Sequence, residues 1–374
     1  MLKLYVAESC CALIDALAEA VAPKARGLEG KNFIFTEEKT TLITERAILK
    51  RVGGTFNTRV FSMRRFLKSL YEPKDLLSKE GSVMLLRKII GERAEELSCL
   101  KRARRKSLAP AVYECIAQLK SAKVGAEELR AAAARAEGLL KDKLSDIALL
   151  YEAYENAIDG RYKDQSNYLA ALPALAERGV KGADVYVAAY SSFTRQEIEV
   201  VKSFMRCARS VTGYLVSGEN EFAYTSEAAE AYRRAAREVG EELEIVSLGG
   251  EEGVQRTILQ NIFNPSAFSA PPVETNQIFM YEAASAADEA EHIASIIKRD
   301  VIDGKMRYSD AEVALGGASP AALKKAFGEY EIPYFLDEKR SLSEHAAARF
   351  ALDFFTAFRR GYALEDMLAL VKNP

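Results

Sequence analysis

The chain opens with three short apolar runs, LKLYV (residues 2–6), NFIFT (32–36) and TRVFS (58–62). Each run is followed by a stretch whose apolar residues recur at helical spacing: CCALIDALAEAV (10–21), TTLITERAILKRV (40–52) and RRFLKSLY (64–71). Strands that alternate with helices are typical of parallel sheets, because a parallel pair needs a crossover connection. The pattern therefore predicts an α/β fold with a doubly wound parallel sheet.

The rhythm changes between residues 79 and 172, where amphipathic stretches rich in Ala, Leu, Glu, Lys and Arg predict separate helices. Strand patterns then return at ADVYVAAY (183–190), SVTGYLVS (210–217), LEIVSL (243–248), QIFMYEA (277–283) and DAEVAL (310–315). We predict an α/β domain over 1–78 and 173–263, a helical insertion over 79–172, a Pro- and Ser-containing linker over 264–276, and part of a second α/β domain over 277–374.

Composition limits the classes of function. The 374 residues include 52 basic and 54 acidic side chains, for a formal net charge of −2, and 49% are hydrophobic. This excludes a mainly disordered chain, and any nucleic-acid contact must come from local basic patches. No apolar run approaches the ~18–20 residues of a membrane helix, so we expect no membrane partner. Five Cys without a CxxC spacing and only two His predict free thiols in a reducing cytoplasm and no metal site.

Three longer stretches carry a resemblance to a known family: TEEKTTLITER with GGTFNTRVFSMRRFL (36–67), KLSDIALLYEAYE through ADVYVAAYSSFTRQEIEVV (143–201), and YEAASAADEAEHIASIIKRDV through YEIPYFLDEKR (281–340). In this order they resemble the two-RecA-domain helicases of superfamily 1. They are more closely similar to the AddB/RexB members of the AddAB/RexAB ATP-dependent helicase–nucleases. The resemblance implies a RecA-like sheet of the P-loop-NTPase type, interrupted by the helical insertion and followed by part of a second RecA-like domain.

The residues that bind nucleotide in that family are not matched in this sequence. The family's first strand runs into GxxxxGK[ST], whose amides and Lys hold phosphates, whereas LKLYV is followed by AESCCALIDAL. Its later catalytic strand ends in Asp-Glu, for Mg²⁺ and water, whereas VYV is followed by two alanines. The degenerate positions are Ala7, Glu8, Ser9, Cys10, Cys11, Ala188 and Ala189. We expect no ATP hydrolysis and no cofactor here. Gln196 stands where the family has a Gln. It either keeps the role of that Gln or is a surface residue at the start of a helix, and both alternatives remain open.

The resemblance also implies positions that contact single-stranded DNA at the carboxyl ends of the early strands. They are Glu38, Thr40, Met63, Arg64, Arg65, Lys68 and Tyr190. Guanidinium and hydroxyl groups there can bond phosphates or bases, and aromatic rings can stack on bases. Glu38 replaces a family Gln with a carboxylate that repels phosphate, and Met63 and Lys68 replace aromatic residues. We therefore expect general binding of a DNA strand to survive these changes better than recognition of its base sequence. A solvated helix face for the two arginines and a helix N-cap for Thr40 remain alternatives.

The densest basic run, KRARRK, lies in the predicted insertion. Its members are Lys101, Arg102, Arg104, Arg105 and Lys106. Point charges of this kind predict a phosphate-contacting patch that gives affinity without specificity, and an exposed helix end is the alternative. Weaker basic character is added to the same region by Lys120, Lys123, Lys141 and Lys143.

The resemblance implies an inactivated helicase-like region of an AddB-type subunit. It would bind single- and double-stranded DNA, partner an AddA-type motor/nuclease subunit in double-strand break repair and recombination, and inspect the strand for the regulatory sequence Chi. In the family, ATP and Mg²⁺ belong to the motor subunit, and an iron–sulfur cluster and a nuclease domain lie in a downstream region. Two other hypotheses are a scaffold that has lost DNA contact and a nucleotide hydrolase with a non-standard site. The family implies a bacterial cytoplasmic location.

Overall fold

A computed structural model describes residues 2–27, 30–71, 74–102, 105–164, 170–218, 220–249, 254–261, 278–316, 320–336, 341–342 and 345–373. The chain divides into two compact units, Met1–Val273 and Glu274–Pro374. The predicted linker, 264–276, lies outside the described residues. None of the helices in the described part is both long and apolar enough to cross a membrane.

The first unit is built on a six-stranded parallel sheet with the strand order β3-β2-β6-β7-β1-β8. The strands are β1 (Leu2–Ala7), β2 (Asn32–Phe35), β3 (Thr58–Phe61), β4 (Leu76–Leu77), β5 (Lys163–Asp164), β6 (Asp184–Ala188), β7 (Ser210–Val216) and β8 (Leu243–Ser247). The short β4 and β5 form a separate parallel pair. This topology confirms the predicted α/β class, with a parallel sheet of the RecA-like type.

The described residues form α-helices in both units. They are α1 (Cys10–Arg26), α2 (Thr41–Val52), α3 (Met63–Leu70), α4 (Lys79–Glu92), α5 (Arg105–Ser121), α6 (Ala126–Arg135), α7 (Gly138–Ile158), α8 (Leu172–Val180), α9 (Arg195–Cys207), α10 (Glu227–Val239), α11 (Val254–Asn261), α12 (Ala286–Ile302), α13 (Ala321–Glu329), α14 (Ala346–Arg359) and α15 (Leu364–Val371). The α-helices between β4 and β5, α4 to α7, agree with the helical pattern expected over 79–172.

Alternating side chains of the strands build two apolar layers. Phe33 and Phe35 of β2 pack in the layer formed by α3, α8, α9 and α10, whereas Ile34 between them packs in the layer formed by α1 and α2. Successive side chains of a strand point to opposite faces, so this sheet is covered on both sides. That burial explains why its strands appear in the sequence as nearly continuous apolar runs.

The insertion has a core of its own. Leu86 and Ile90 of α4, Ile116 of α5, and Leu150 and Tyr154 of α7 are all buried in one cluster. The β4–β5 pair lies where the chain enters and leaves this helical body. We call that pair, with the residues that contact it, the neck.

The described part of the second unit is helical. α12 and α13 share a small core that includes Ala294, Ile297 and Phe327. The strands predicted over 277–283 and 310–315 are wrong for the described residues of this unit, since no strand is assigned within 278–316. A strand needs a neighbour that accepts and donates its backbone hydrogen bonds. Val313 instead packs against the α12–α13 core.

Candidate functional site

The carboxyl ends of parallel strands lie at one edge of a sheet, and the residues that follow them line the crevice where ligands bind. In the first unit these residues are 7–11 after β1, 36–40 after β2, 62–68 after β3 and 188–193 after β6. We call this surface the carboxyl edge. It holds all the expected nucleotide positions and the strand-end positions expected to contact DNA.

At β1, the connection to α1 is a tight turn. Ala7 is buried at the end of the strand, only Glu8 and Ser9 follow, and α1 begins at Cys10. The Ser9 Oγ accepts a hydrogen bond from the Ala12 N–H at 3.3 Å, which caps the helix. A phosphate-binding loop instead wraps its backbone amides around the ligand and adds a Lys. These residues therefore do not fit the phosphates of a nucleoside triphosphate.

The end of β6 is equally unsuited to a metal–nucleotide. Ala188 and Ala189 are both buried, and their methyl groups offer no oxygen ligand to Mg²⁺. Ala189 has φ +56°, in the left-handed region that residues other than glycine seldom adopt. Its N–H donates to the carbonyl oxygen of Tyr214 at 3.2 Å, which ties this strained position to β7.

A carboxylate joins the segments that follow β2 and β6. Glu37 Oε1 accepts hydrogen bonds from the Ser191 N–H at 2.8 Å and from the Ser191 hydroxyl at 2.7 Å, and the carboxylate pairs with Lys39 at 2.9 Å. Burial alone would raise the pKa of Glu37, but the bonds from Ser191 and Lys39 outweigh it and hold the pKa below its usual value. Glu37 therefore stays charged and holds the two segments together. Sequence reasoning missed it, although two consecutive acids directly after a strand were a visible signal.

Thr40 is held inside the same loop. Its hydroxyl donates to the Glu37 carbonyl oxygen at 2.9 Å and is also hydrogen-bonded to the Thr36 hydroxyl. Thr40 occupies the N-cap position of α2, but its side chain makes no capping hydrogen bond. The side chain thus stabilises the loop. Neighbouring Glu38 is exposed and lies 3.9 Å from the guanidinium of Arg65, across the β2–β3 boundary.

Three cations project from α3. Ser62 caps this helix by accepting from the Arg65 N–H at 3.4 Å, and its apolar face buries Met63, Phe66 and Leu67. Arg64, Arg65 and Lys68 are consequently exposed. The structure thus brings together Arg64, Arg65, Lys68 and Glu38 on the solvent side of the carboxyl edge.

Two of the expected contact residues lie in the core instead. Met63 is 2% exposed and Tyr190 is 4% exposed. The Tyr190 ring stacks on Phe193 at a centroid distance of 4.6 Å, its hydroxyl donates to the Thr36 carbonyl oxygen at 3.3 Å, and burial raises its pKa well above the usual value. Their burial removes both side chains from the surface where DNA contact was expected. The reason is orientation, since both point into the layer packed between the sheet and its helices.

The basic run of the insertion is only partly described. Lys101 is half-exposed and pairs with Glu95. The side chains of Arg102, Arg104, Arg105 and Lys106 lie outside the described part of the structure. A phosphate-contacting patch at this place therefore stays a prediction.

Lys120 contributes nothing to a basic surface, contrary to expectation. Its side chain is 3% exposed, its ammonium pairs with Asp164 at 2.6 Å and with Glu155, and it lies 5.1 Å from the Tyr154 ring centroid. Gln196 is also buried, which rules out the surface position, one of the two alternatives open for it from the sequence. Its Nε2 donates to the Lys120 carbonyl oxygen at 2.9 Å. The two residues join the insertion, the neck and α9.

Comparisons with known proteins agree with this architecture. The family model described as "ADDB, N-terminal" matches residues 17–266. Similar curated proteins are named as the B subunits of ATP-dependent helicase/deoxyribonucleases. The one from Alkaliphilus metalliredigens is 26% identical over 92% of this chain and 32% of its own length. Those from Bacillus cereus strain AH187 and Bacillus anthracis are each 30% identical over 82% of this chain and 29% of theirs. The chain thus spans 29–32% of the length of these relatives. Because the family model covers more than half of the sequence, this chain belongs to the AddB family and corresponds to its N-terminal region.

Proposed function

We propose that this chain is a motor-inactive, helicase-like region of an AddB-type subunit that binds single-stranded DNA at its carboxyl edge. One observation carries the proposal, namely the contrast between the two halves of that edge. The β1–β6 half consists of a two-residue turn and two buried alanines, whereas the β2–β3 half presents exposed cations.

The β1–β6 half supports the loss of ATPase chemistry. A phosphate loop and a metal-binding acid are separate requirements, and neither matches the residues present. The two-residue Glu8–Ser9 turn has its hydroxyl engaged in capping α1, and Ala188 and Ala189 have no oxygen in their side chains. We therefore assign translocation to a partner protein, and no catalytic step to this chain.

The β2–β3 half supports contact with a nucleic-acid backbone. Arg64, Arg65 and Lys68 can each reach a phosphate, and such contacts give salt-dependent affinity without sequence information. The hydroxyl of Thr40 is already engaged and the ring of Tyr190 is covered. The carboxyl edge therefore suits binding of the phosphate backbone of a DNA strand better than recognition of its bases. Scanning for Chi is a proposal for the assembled complex.

The names of the relatives describe one subunit of a helicase/deoxyribonuclease, which supports a partner protein for this chain as well. We propose an AddA-type motor/nuclease subunit as that partner, acting with it on DNA in double-strand break repair by recombination in the bacterial cytoplasm.

Fluorescence anisotropy of labelled oligothymidylates, measured against salt concentration, tests the DNA-binding proposal. We expect affinity to fall steeply with salt, and Arg65→Ala to make the slope shallower by about 0.7 for each lost phosphate contact. Lys50→Gln is the matched control, because Lys50 is exposed on α2, which packs on the opposite face of the sheet. A wild-type chain that does not bind at low salt contradicts the proposal. Titration with labelled ATP and Mg²⁺ tests the other half, and saturable micromolar binding would overturn it.

A scaffold that assembles the complex without touching DNA is the second candidate function. The ion pairs on the carboxyl edge favour it, since Glu38 lies near Arg65 and Glu37 pairs with Lys39. These carboxylates reduce the positive potential that a phosphate would meet. In the anisotropy experiment this candidate predicts no binding by the wild-type chain.

A further inference from the structure

The cations of α3 form a line that leads away from the carboxyl edge. Arg64 and Lys68 are four residues apart and therefore share one helix face, with a rise of about 6 Å between them. Tyr71 follows as the C-cap residue of α3 and is half-buried against the core of the sheet layer. The exposed face of α3 thus runs from Arg64, next to the edge, to Tyr71, next to the neck.

A lysine from the other side of the neck meets this line. The ammonium of Lys163, in β5, lies 4.8 Å from the centroid of the Tyr71 ring and donates a hydrogen bond to the Tyr71 hydroxyl. That hydrogen bond raises the pKa of Lys163, which keeps the ammonium charged. Residues more than 90 positions apart in sequence therefore hold one cation in a fixed place.

The ion pairs of the described residues do not include the cations on this line. Among the described residues, Arg64, Lys68 and Lys163 make no ion pair with a carboxylate, although all three are exposed. Asp75 adds negative charge near Lys163 without forming such a pair. Arg65 differs, because it faces Glu38. Lys79 differs as well, because its ammonium pairs with Glu114. Phosphate contact at the unpaired cations requires no ion pair to break.

We propose that Lys163 and Tyr71 extend the single-strand track from the carboxyl edge along α3 to the neck. The inference rests on the proposed function and adds the direction of the path and two residues to it. Arg64, Lys68 and Lys163 each bind one phosphate of the strand. Tyr71 acts as a positioning residue, because its ring and hydroxyl hold the Lys163 ammonium toward the path.

The test uses the full chain and labelled oligothymidylates in a salt series. Lys163→Gln removes one charge from an exposed side chain, and we expect weaker binding with a salt slope shallower by about 0.7. Lys68→Gln should do the same, and the double variant should show the sum of the two slope changes. Tyr71→Phe keeps the ring but loses the hydroxyl, so we expect a smaller change in the same direction. Lys50→Gln, on the opposite face of the sheet, should match the wild type, and coincident melting curves show that the lysine variants fold.

The outcomes separate the two proposals. If the wild type binds and Lys163→Gln has the same slope and affinity as Lys50→Gln, the path does not reach the neck, and the inference fails while the proposed function stands. If the wild type does not bind at low salt, both fail. An effect of Lys68→Gln without one of Lys163→Gln ends the track on α3 and also refutes the inference.

Discussion

Replacing Lys120 with Met tests the ion pair between Lys120 and Asp164, which is the most deeply buried one among the described residues. The pair lies where the insertion joins the rest of the first unit. The side chains of Lys120 and Asp164 are 3% and 1% exposed and lie 2.6 Å apart. Met has a similar length and fills the same space, so packing changes little. What changes is charge, since the Asp164 carboxylate is left in the interior without its cation.

The expected loss follows from that burial. Removing one partner of a buried ion pair lowers the free energy of unfolding by about 3–5 kcal/mol, because an uncompensated charge remains. The loss of the Lys120 contact with the Tyr154 ring is included in that range, since the two interactions share one ammonium. For a domain stable by about 5–15 kcal/mol, this is a large fraction.

Urea denaturation followed by circular dichroism measures the change. The control is Lys123→Met, because Lys123 is half-exposed and lies 3.8 Å from Glu199, a surface pair that contributes at most about 1 kcal/mol. The double variant Lys120→Met with Asp164→Asn should regain part of the loss, because the fully buried Asp164 carboxylate is then replaced by a neutral amide. If Lys120→Met and Lys123→Met destabilise equally, the pair does not act as the structure indicates.

Three further predictions concern the rest of the first unit. Glu38→Gln should tighten single-strand binding by up to about fivefold, because the attraction between the Glu38 carboxylate and Arg65, 3.9 Å apart, is at most about 1 kcal/mol in water. Fluorescence anisotropy measures the change, and unchanged or weaker binding contradicts the prediction. Ala189→Val should lower stability by about 1–3 kcal/mol in urea, since a β-branched residue is poorly accommodated at φ +56°. Burial opposes ionisation of Asp184, but bonds from Arg209, Lys24 and Ser210 outweigh it and lower its pKa. The stabilisation is therefore full above the unfolded pKa of about 4 and is lost as pH falls below it, so the wild type and Asp184→Asn should converge in stability in acid.

Local sequence pattern was sufficient for the sheet. The run at 2–6 became β1 over Leu2–Ala7, and the run at 183–190 became β6 over Asp184–Ala188. Strands covered on both faces leave a continuous apolar signal, and it ends where the chain turns. The same reasoning gave wrong strands in the second unit, because an apolar run does not show that a neighbouring strand lies beside it. In the first of these runs, Phe279 and Met280 are 84% and 97% exposed.

The candidate site was only partly predictable. The solvated helix face considered for Arg64 and Arg65 agrees with the structure, in which both side chains are exposed. The sequence did not show that Met63, the first residue of that helix, would point inward. Lys120 was harder still, since Asp164 follows 44 residues later and Gln196 76 residues later, and neither separation has a local signature.

The neck has a consequence for folding kinetics. Strands β2 and β6, on either side of the insertion, must pair, and Glu37 after β2 must meet Ser191 after β6, 154 residues further along the chain. Loop-closure entropy opposes such a contact, and contacts of this range slow folding. The insertion forms its own core, and β4 and β5 hold its two ends side by side. If it folds first, the loop that the sheet must close becomes much shorter. We expect the rate of sheet formation to depend on a helical body that contributes no strand to it.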